Sequence, residues 1–178
     1  MSEKGTLYFF TGLAGAGKTT IGGLFYQKLQ AKNPEAILLD GDRMRLETGD
    51  SDESGVVLFE DRYTTEARKA GARGMFSNCK ALTDQGKDVV CCSIAMYQEI
   101  RDWNRANIEN YKEIYIKVTR ETLYRRDQKG LYSSGTKNVV GVDLPYDEPV
   151  SPDIVVENDG LDTPEEIVER LVRHFGLA

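Results

Sequence analysis

The sequence has few of the side chains that bind zinc or form disulfides. It contains one histidine, His174, and three cysteines, Cys79, Cys91 and Cys92, and it has no C-x-x-C spacing. An odd number of cysteines, two of them adjacent, is not a disulfide framework. We therefore expect neither a zinc site nor disulfides, and we interpret the segment VVCCSI around Cys91 and Cys92 as a buried strand.

Long apolar runs and an excess of positive charge are also absent. No apolar run reaches the length of a membrane-spanning helix, and no signal peptide precedes the first predicted strand. We therefore expect a cytoplasmic protein without a membrane partner. The net charge of −6 argues against a nucleic-acid polymer as partner, but not against an anionic small molecule held in a local basic pocket.

Apolar runs and helical patterns alternate along the 178 residues, which suit a single domain spanning 1–178. Thr163 and Glu166 form a predicted capping box at the start of the last helix. Residues 129–149, rich in glycine, serine and proline, predict a long loop. The alternation predicts an α/β fold, a three-layer sandwich with a five-stranded, mainly parallel sheet. Strands are predicted over 6–10, 36–39, 88–94, 114–118 and 154–156, and helices over 18–32, 61–85, 99–110, 120–127 and from 164 onward.

The segment GLAGAGKTT lies between the first predicted strand and the first predicted helix, and it matches the phosphate-loop pattern GxxxxGK[ST]. Glycines let backbone N–H groups point at phosphate oxygens, and the helix N-terminus adds a positive dipole. We expect Lys18 to reach the β- and γ-phosphates and the Thr19 hydroxyl to bind Mg²⁺. The pattern therefore predicts a bound nucleoside triphosphate. Its expected contacts are Gly12, Ala14, Gly15, Ala16, Gly17, Lys18, Thr19 and Thr20.

Other features of the sequence narrow the class of phosphate-loop protein. The sequence has no NKxD-type guanine motif, and motor ATPases are normally longer, so a kinase is favoured. The second predicted strand ends in ILLDGD, which places Asp40 and Asp42 at the carboxyl edge of the sheet, where ligands bind. We expect one carboxylate to act through Mg²⁺ and the other to accept the proton of an attacking hydroxyl. Which carboxylate does which stays open, and the alternative for one of them is to cap the next helix.

Several arginines lie near predicted strand ends or helix starts. On an acidic protein this placement suggests a pocket for an anionic acceptor, although each arginine taken singly is more often a surface residue. Basic residues directly before the long loop can neutralise the transferring phosphoryl group. The first set is Arg43, Arg45, Arg62, Arg68, Arg101 and Arg105, and the second is Arg125, Arg126 and Lys129.

Together these motifs resemble the adenylylsulfate kinase family over nearly the whole chain. GLAGAGKTT resembles the family's GLSGAGKST with Ala14 in place of serine, and LLDGDRMR resembles LDGDNVR. Asp61 and Arg62 match its DR pair, RDQKGLY at 126–132 resembles the lid motif RDxKGLY, and GVDLPYDEP at 141–149 resembles GIDDPYEAP. The last two motifs are specific and are hard to obtain by chance beside a phosphate loop.

The resemblance implies a phosphate-loop NTPase fold in which the γ-phosphate of ATP is transferred to the 3′-hydroxyl of adenylyl sulfate. It implies Mg²⁺, a homodimer, and a lid loop at about 129–149 that closes over the substrates. It implies that Arg126 binds ATP and that Thr19 and Asp40 bind the metal. The acceptor contacts that it implies are Arg45, Phe59, Arg62, Arg68, Ile94, Arg101, Lys129, Gly130 and Leu131.

The departures from the family pattern lie on the acceptor side. The family's SPYR reads AMYQ at 95–98, so Gln98 replaces an arginine. The family's FTGI reads VVGV at 139–142, so Val139 replaces the phenylalanine that stacks on the acceptor's adenine. Phe59, in a segment that is longer than usual, is a candidate for a substitute ring or for a core position.

Two alternatives to an adenylyl sulfate kinase follow. The segment IAMYQEIRDWNRANI also resembles a subgroup of the family associated with bacterial surface-polysaccharide clusters. Some members of that subgroup resemble a kinase for a cytidine diphosphate phosphoramidate. The alternative of another class is a nucleotide-binding regulator without catalysis. The intact Lys18, Asp40 and Asp42 and a full lid motif argue against it, because a sensor need not keep both halves of a transfer site.

Overall fold

The computed structural model describes residues 3–41, 65–127, 130, 132, 140–142 and 144–178, and within them five strands form one sheet in the order β2-β3-β1-β4-β5. All neighbouring strands are parallel, so the five carboxyl ends lie at the same edge of the sheet. The strands are β1 Thr6–Thr11, β2 Ile37–Asp40, β3 Val89–Cys92, β4 Asn110–Lys117 and β5 Ile154–Glu157.

Helices cover both faces of this sheet. Tyr8 and Phe10 of β1 pack in a cluster with α1 and α5, whereas Leu7 and Phe9 pack in a second cluster with α2 and α3. Successive side chains of a strand point to opposite faces, so this division makes β1 the centre of three layers and confirms the predicted α/β sandwich. The helices are α1 Lys18–Lys32, α2 Thr65–Asp84, α3 Gln98–Asn107, α4 Arg120–Arg126 and α5 Pro164–His174.

The largest correction concerns the boundary between α3 and β4. The helix predicted over 99–110 ends at Asn107, and the strand predicted from 114 begins at Asn110. Pairing with β1 explains the longer strand, because the register runs from Thr6 with Asn110 to Thr11 with Tyr115. The extra residues include Lys112 and Glu113, so tertiary pairing overrides the local polar sequence.

Other predicted features are confirmed with small shifts. The capping box of α5 is present, since Thr163 N donates to Glu166 Oε2 and Glu166 N donates to Thr163 Oγ1. Cys79, Cys91 and Cys92 are buried, and the latter two lie on β3 as expected. No helix in the described part of the chain has the length and apolar character needed to cross a membrane.

Gly22 allows α1 to pack closely on β3. A Cβ atom at this position would lie 2.3 Å from Cys92 Sγ, whereas at Gly23 no heavy atom of the described residues lies within 4 Å of the same atom. We expect Gly22→Ala to lower the free energy of unfolding by about 1–3 kcal/mol, because overpacking exceeds the helix-propensity gain. The matched variant Gly23→Ala should raise it by up to about 1 kcal/mol.

Urea unfolding of both variants measures this difference directly. The two substitutions are chemically the same and adjacent on one helix, so they differ mainly in what the new methyl group meets. Equal stabilisation by both would show that α1 and β3 can separate to admit the methyl group.

Candidate active site

The phosphate loop connects β1 to α1 at the carboxyl edge of the sheet. Gly17, the N-cap of α1, adopts a left-handed conformation with φ 103° and ψ 15°. A side chain is excluded there because a Cβ atom would lie 2.5 Å from Asn158 Nδ2. Glycine supplies no side-chain cap, and the first turn of α1 contains no acidic residue. The N–H groups of that turn are therefore suited to an anionic ligand.

The carbonyl oxygens of the loop are held by side chains, three of them from outside the loop. Each of the four at residues 13–16 accepts a hydrogen bond from a side chain. In a trans peptide the C=O and the following N–H point in opposite directions, so holding the carbonyls also orients the N–H groups. The donors to residues 13, 14, 15 and 16 are, in that order, Lys18 Nζ (3.0 Å), the Tyr132 hydroxyl, Arg126 Nη1 (3.4 Å) and Asn158 Nδ2 (2.8 Å).

Thr19 and Asp40 form a pair of oxygen groups beside the loop. Thr19 Oγ1 donates to Asp40 Oδ2 at 2.8 Å, and Asp40 is the last residue of β2. Among the described residues no cluster of three or more histidine, cysteine or acidic side chains could hold a metal by itself. Mg²⁺ commonly takes only one or two protein oxygens and completes its shell with phosphates and water. The pair therefore fits a nucleotide-bound Mg²⁺.

The second expected carboxylate stays a prediction. Asp40 is the last residue of β2. Asp42 lies outside the described residues, as do several expected acceptor and lid residues, and their roles stay predictions as well. These are Arg43, Arg45, Phe59, Arg62, Lys129, Leu131 and Val139.

Three expected acceptor residues lie in different settings. Arg68 is half-buried on α2, and Gly130, with φ 62°, donates its N–H to Asp127 O at 3.0 Å. Ile94 is 9% exposed and belongs to the cluster that contains Leu13 of the phosphate loop. Its neighbour in sequence, Ala95, has φ 34°, an uncommon conformation for a residue with a side chain. Ile94 is thus at the loop, whereas Arg68 lies on α2.

Arg101 is bound by the protein itself. It is 1% exposed, its Nε and Nη2 both donate to Gln98 Oε1, and Nη2 also donates to Asp147 O at 2.7 Å. Burial lowers the pKa of this arginine. Arg105 likewise donates to the Ser151 carbonyl. The bonds to the Asp147 and Ser151 carbonyls join α3 to the end of the predicted long loop and to the residues just after it. An acceptor contact of Arg101 stays a prediction.

The end of the lid motif makes a contact that the sequence did not reveal. Tyr132 N donates to Asp127 Oδ1 at 3.0 Å, and the Tyr132 hydroxyl donates to the Ala14 carbonyl. Burial raises the pKa of Tyr132 to about 12, so the hydroxyl keeps its proton at neutral pH. Asn158 was also missed. The only signal for it was the polar segment ENDG at 157–160, directly after the fifth predicted strand, at the edge where ligands bind.

Comparison with known proteins agrees with this geometry. A family model described as adenylylsulphate kinase matches residues 4–157. A cytidine diphosphoramidate kinase of Campylobacter jejuni is 38% identical and spans 99% of this chain and 100% of its own length. An adenylyl-sulfate kinase of Picosynechococcus sp. is 33% identical over 97% of this chain and 94% of its own.

A solved structure gives the same fold. The APS kinase of Mycobacterium tuberculosis, in complex with AMPPNP and APS, superposes with a TM-score of 0.79 over 97% of this chain and 98% of its own. Its sequence identity is 24%, so the likeness concerns the fold.

Proposed function

Because the chain belongs to the adenylylsulphate kinase family of phosphotransferases that act on a hydroxyl group, we propose that it phosphorylates a ribose hydroxyl of a small anionic nucleotide. ATP is the donor and Mg²⁺ the metal in this proposal. The observation that carries the proposal is the phosphate loop, beside which Thr19 Oγ1 lies 2.8 Å from Asp40 Oδ2. The proposed enzyme is cytoplasmic and homodimeric, and residues at about 129–149 form its lid.

The loop and its neighbours suit a phosphoryl transfer. Loop N–H groups and Lys18 hold the β- and γ-phosphates, and Thr19 would hold the metal together with Asp40, unless Asp40 is the proton acceptor and Asp42 takes its place. Mg²⁺, when bound, neutralises charge on the phosphates. The bond between the γ-phosphorus and the β–γ bridging oxygen breaks as the acceptor oxygen bonds to phosphorus. The hydroxyl proton passes to a carboxylate, Asp40 or Asp42.

Two acceptors fit this chemistry. Adenylyl sulfate, phosphorylated on its 3′-hydroxyl, is the acceptor that the family resemblance implies. A cytidine diphosphate phosphoramidate is the second candidate, and it is favoured by the 38% identity to the Campylobacter jejuni relative. The acceptor side of this chain also departs from the adenylyl sulfate pattern. Gln98, which replaces a family arginine, accepts from Arg101 through Oε1 and donates to Asp102 through Nε2, so it brings no positive charge there.

Turnover of the two acceptors distinguishes them. We expect kcat/KM for adenylyl sulfate to lie below that for cytidine diphosphoramidate, with ATP and Mg²⁺ held constant, and about 5- to 150-fold below that of a site that keeps the aromatic ring. The reason is the missing ring at Val139, since stacking on an aromatic side chain is worth roughly 1–3 kcal/mol per base. A pyrimidine loses less stacking area than a purine.

Other results assign the protein differently. A high kcat/KM for adenylyl sulfate alone would make it an adenylylsulfate kinase and reject the pyrimidine acceptor. Turnover of neither would reject both named acceptors and leave the kinase chemistry standing. The Lys18→Ala variant serves as the blank in every assay, because it removes the phosphate contact and leaves the acceptor side unchanged.

A further inference from the structure

Asn158 is the first residue after β5 and lies against the phosphate loop. Asn158 is only 9% exposed, and its side-chain Nδ2 donates to the Ala16 carbonyl at 2.8 Å. The backbone carbonyl of Asn158 accepts from Arg126 Nη2 at 2.6 Å, and Arg126 Nη1 donates to the Gly15 carbonyl. Asn158 and Arg126 therefore bind each other and two successive peptides of the loop.

The contact is also a steric limit. A Cβ atom on Gly17 would lie 2.5 Å from Asn158 Nδ2, so the amide fills the space that any side chain at position 17 would need. The loop cannot move toward β5 without meeting this amide, and it cannot move away without breaking the bond to the Ala16 carbonyl. Asn158 thus restricts the loop in both directions.

The next residue anchors Asn158 itself. Asp159 Oδ1 accepts from both Thr119 N and Thr119 Oγ1 at 3.0 Å, and Thr119 is the N-cap of α4. The Thr119 N–H is the main cause of a lowered pKa of Asp159, so the carboxylate is ionised at neutral pH. Arg126 is the last residue of α4. Both ends of α4 are therefore bonded to residues 158 and 159, and these bonds fix the position of Asn158 relative to α4.

We infer that Asn158 is a positioning residue for the phosphate loop, and that it sets the affinity for the donor's triphosphate. This inference rests on the proposed donor reaction. The Ala16 carbonyl and the Gly17 N–H belong to one trans peptide and point in opposite directions. By holding the carbonyl toward β5, Asn158 turns the Gly17 N–H toward the interior of the loop, where phosphate oxygens bind in loops of this kind.

Two substitutions test the inference. In Asn158→Ala the bond to the Ala16 carbonyl is lost, and we expect KM for ATP to rise about 3- to 10-fold, as for one lost hydrogen bond. The kcat and the acceptor KM should stay within about twofold of wild type. In Asn158→Asp a carboxylate meets the carbonyl, and the loss in ATP affinity should be larger, about 10- to 100-fold, because like charges now also repel the triphosphate.

Asn110→Ala is the matched control. Asn110 Nδ2 also donates to a backbone carbonyl, that of Lys4, but at the opposite edge of the sheet. A merely structural role of Asn158 predicts that both alanine variants lower the melting temperature and leave KM for ATP unchanged. That result would overturn the inference, as would equal changes in KM in the two variants.

Inorganic tripolyphosphate separates the loop from the rest of the nucleotide. Its dissociation constant, measured by calorimetry, should rise in Asn158→Ala by the same factor as that of ATP. Weakened ATP binding with unchanged tripolyphosphate binding would place Asn158 at the base or ribose and overturn the inference. Neither binding measurement depends on the acceptor, so a wrong acceptor in the proposed function leaves this test intact. If Asn158→Ala does not fold, the isosteric Asn158→Asp carries both measurements.

Discussion

Replacing Lys18 by alanine is expected to lower kcat by about 100- to 1,000-fold while the fold survives. Single electrostatic contacts to a reacting group in an active site are worth roughly 3–4 kcal/mol, which corresponds to that range. Lys18 is the first residue of α1 and is 6% exposed, so its amine lies at the loop rather than in solvent. Its reach to the β- and γ-phosphates is the contact whose loss the rate reports.

The structure explains why this variant should stay folded. Lys18 Nζ donates to the Leu13 carbonyl at 3.0 Å, and that carbonyl also accepts from Ala16 N. Removing the amine therefore leaves no orphaned carbonyl at Leu13, and the melting temperature without nucleotide should change little. Lys32→Ala is the control, because Lys32 is exposed at the other end of the same helix. Wild-type kcat in the Lys18 variant would reject the phosphate-loop assignment.

The phosphate loop was predictable because its information is local. A run of nine residues, GLAGAGKTT, carries the glycines, the lysine and the hydroxyl, and its position between a strand and a helix is visible in the pattern. Three of the four side chains that hold the loop carbonyls are not local. Asn158 lies 142 residues from Ala16, and Tyr132 lies 118 residues from Ala14. Only the folded sheet brings these side chains to the loop, so their contacts cannot be predicted from any spacing in the sequence.

Arg101 shows a second limit of the sequence, because its contacts within the protein could not be predicted. An arginine near the start of a predicted helix, on an acidic protein, favours an anionic ligand. The folded chain buries it and supplies Gln98 and the Asp147 carbonyl as acceptors. Asp147 lies 46 residues away, in the segment predicted as a long loop, where periodicity carries no information about contacts. The β4 start was mispredicted for a similar reason, since pairing with β1 decides it.

Replacing Asp40 by asparagine is expected to lower kcat by about 100-fold or more. Asparagine keeps the shape of the side chain and an oxygen that can accept from the Thr19 hydroxyl, which now bonds to Asp40 Oδ2 at 2.8 Å. The variant therefore removes charge with little change in geometry. Losing a metal-organising carboxylate weakens charge neutralisation on the phosphates, and losing a general base removes a factor of about 100 to 10,000.

A magnesium titration separates these two roles of Asp40. If Asp40 organises the metal, the Asp40→Asn enzyme needs more Mg²⁺ for half-maximal activity and recovers part of its rate at high Mg²⁺. If Asp40 accepts the proton, excess Mg²⁺ does not restore the rate, and the metal-dependent phenotype is expected in Asp42→Asn instead. Glu157→Gln is the control, an exposed carboxylate at the carboxyl end of β5. Normal turnover with unchanged Mg²⁺ dependence in both aspartate variants would make the two carboxylates structural, because neither charge would then be felt by the transferring phosphoryl group.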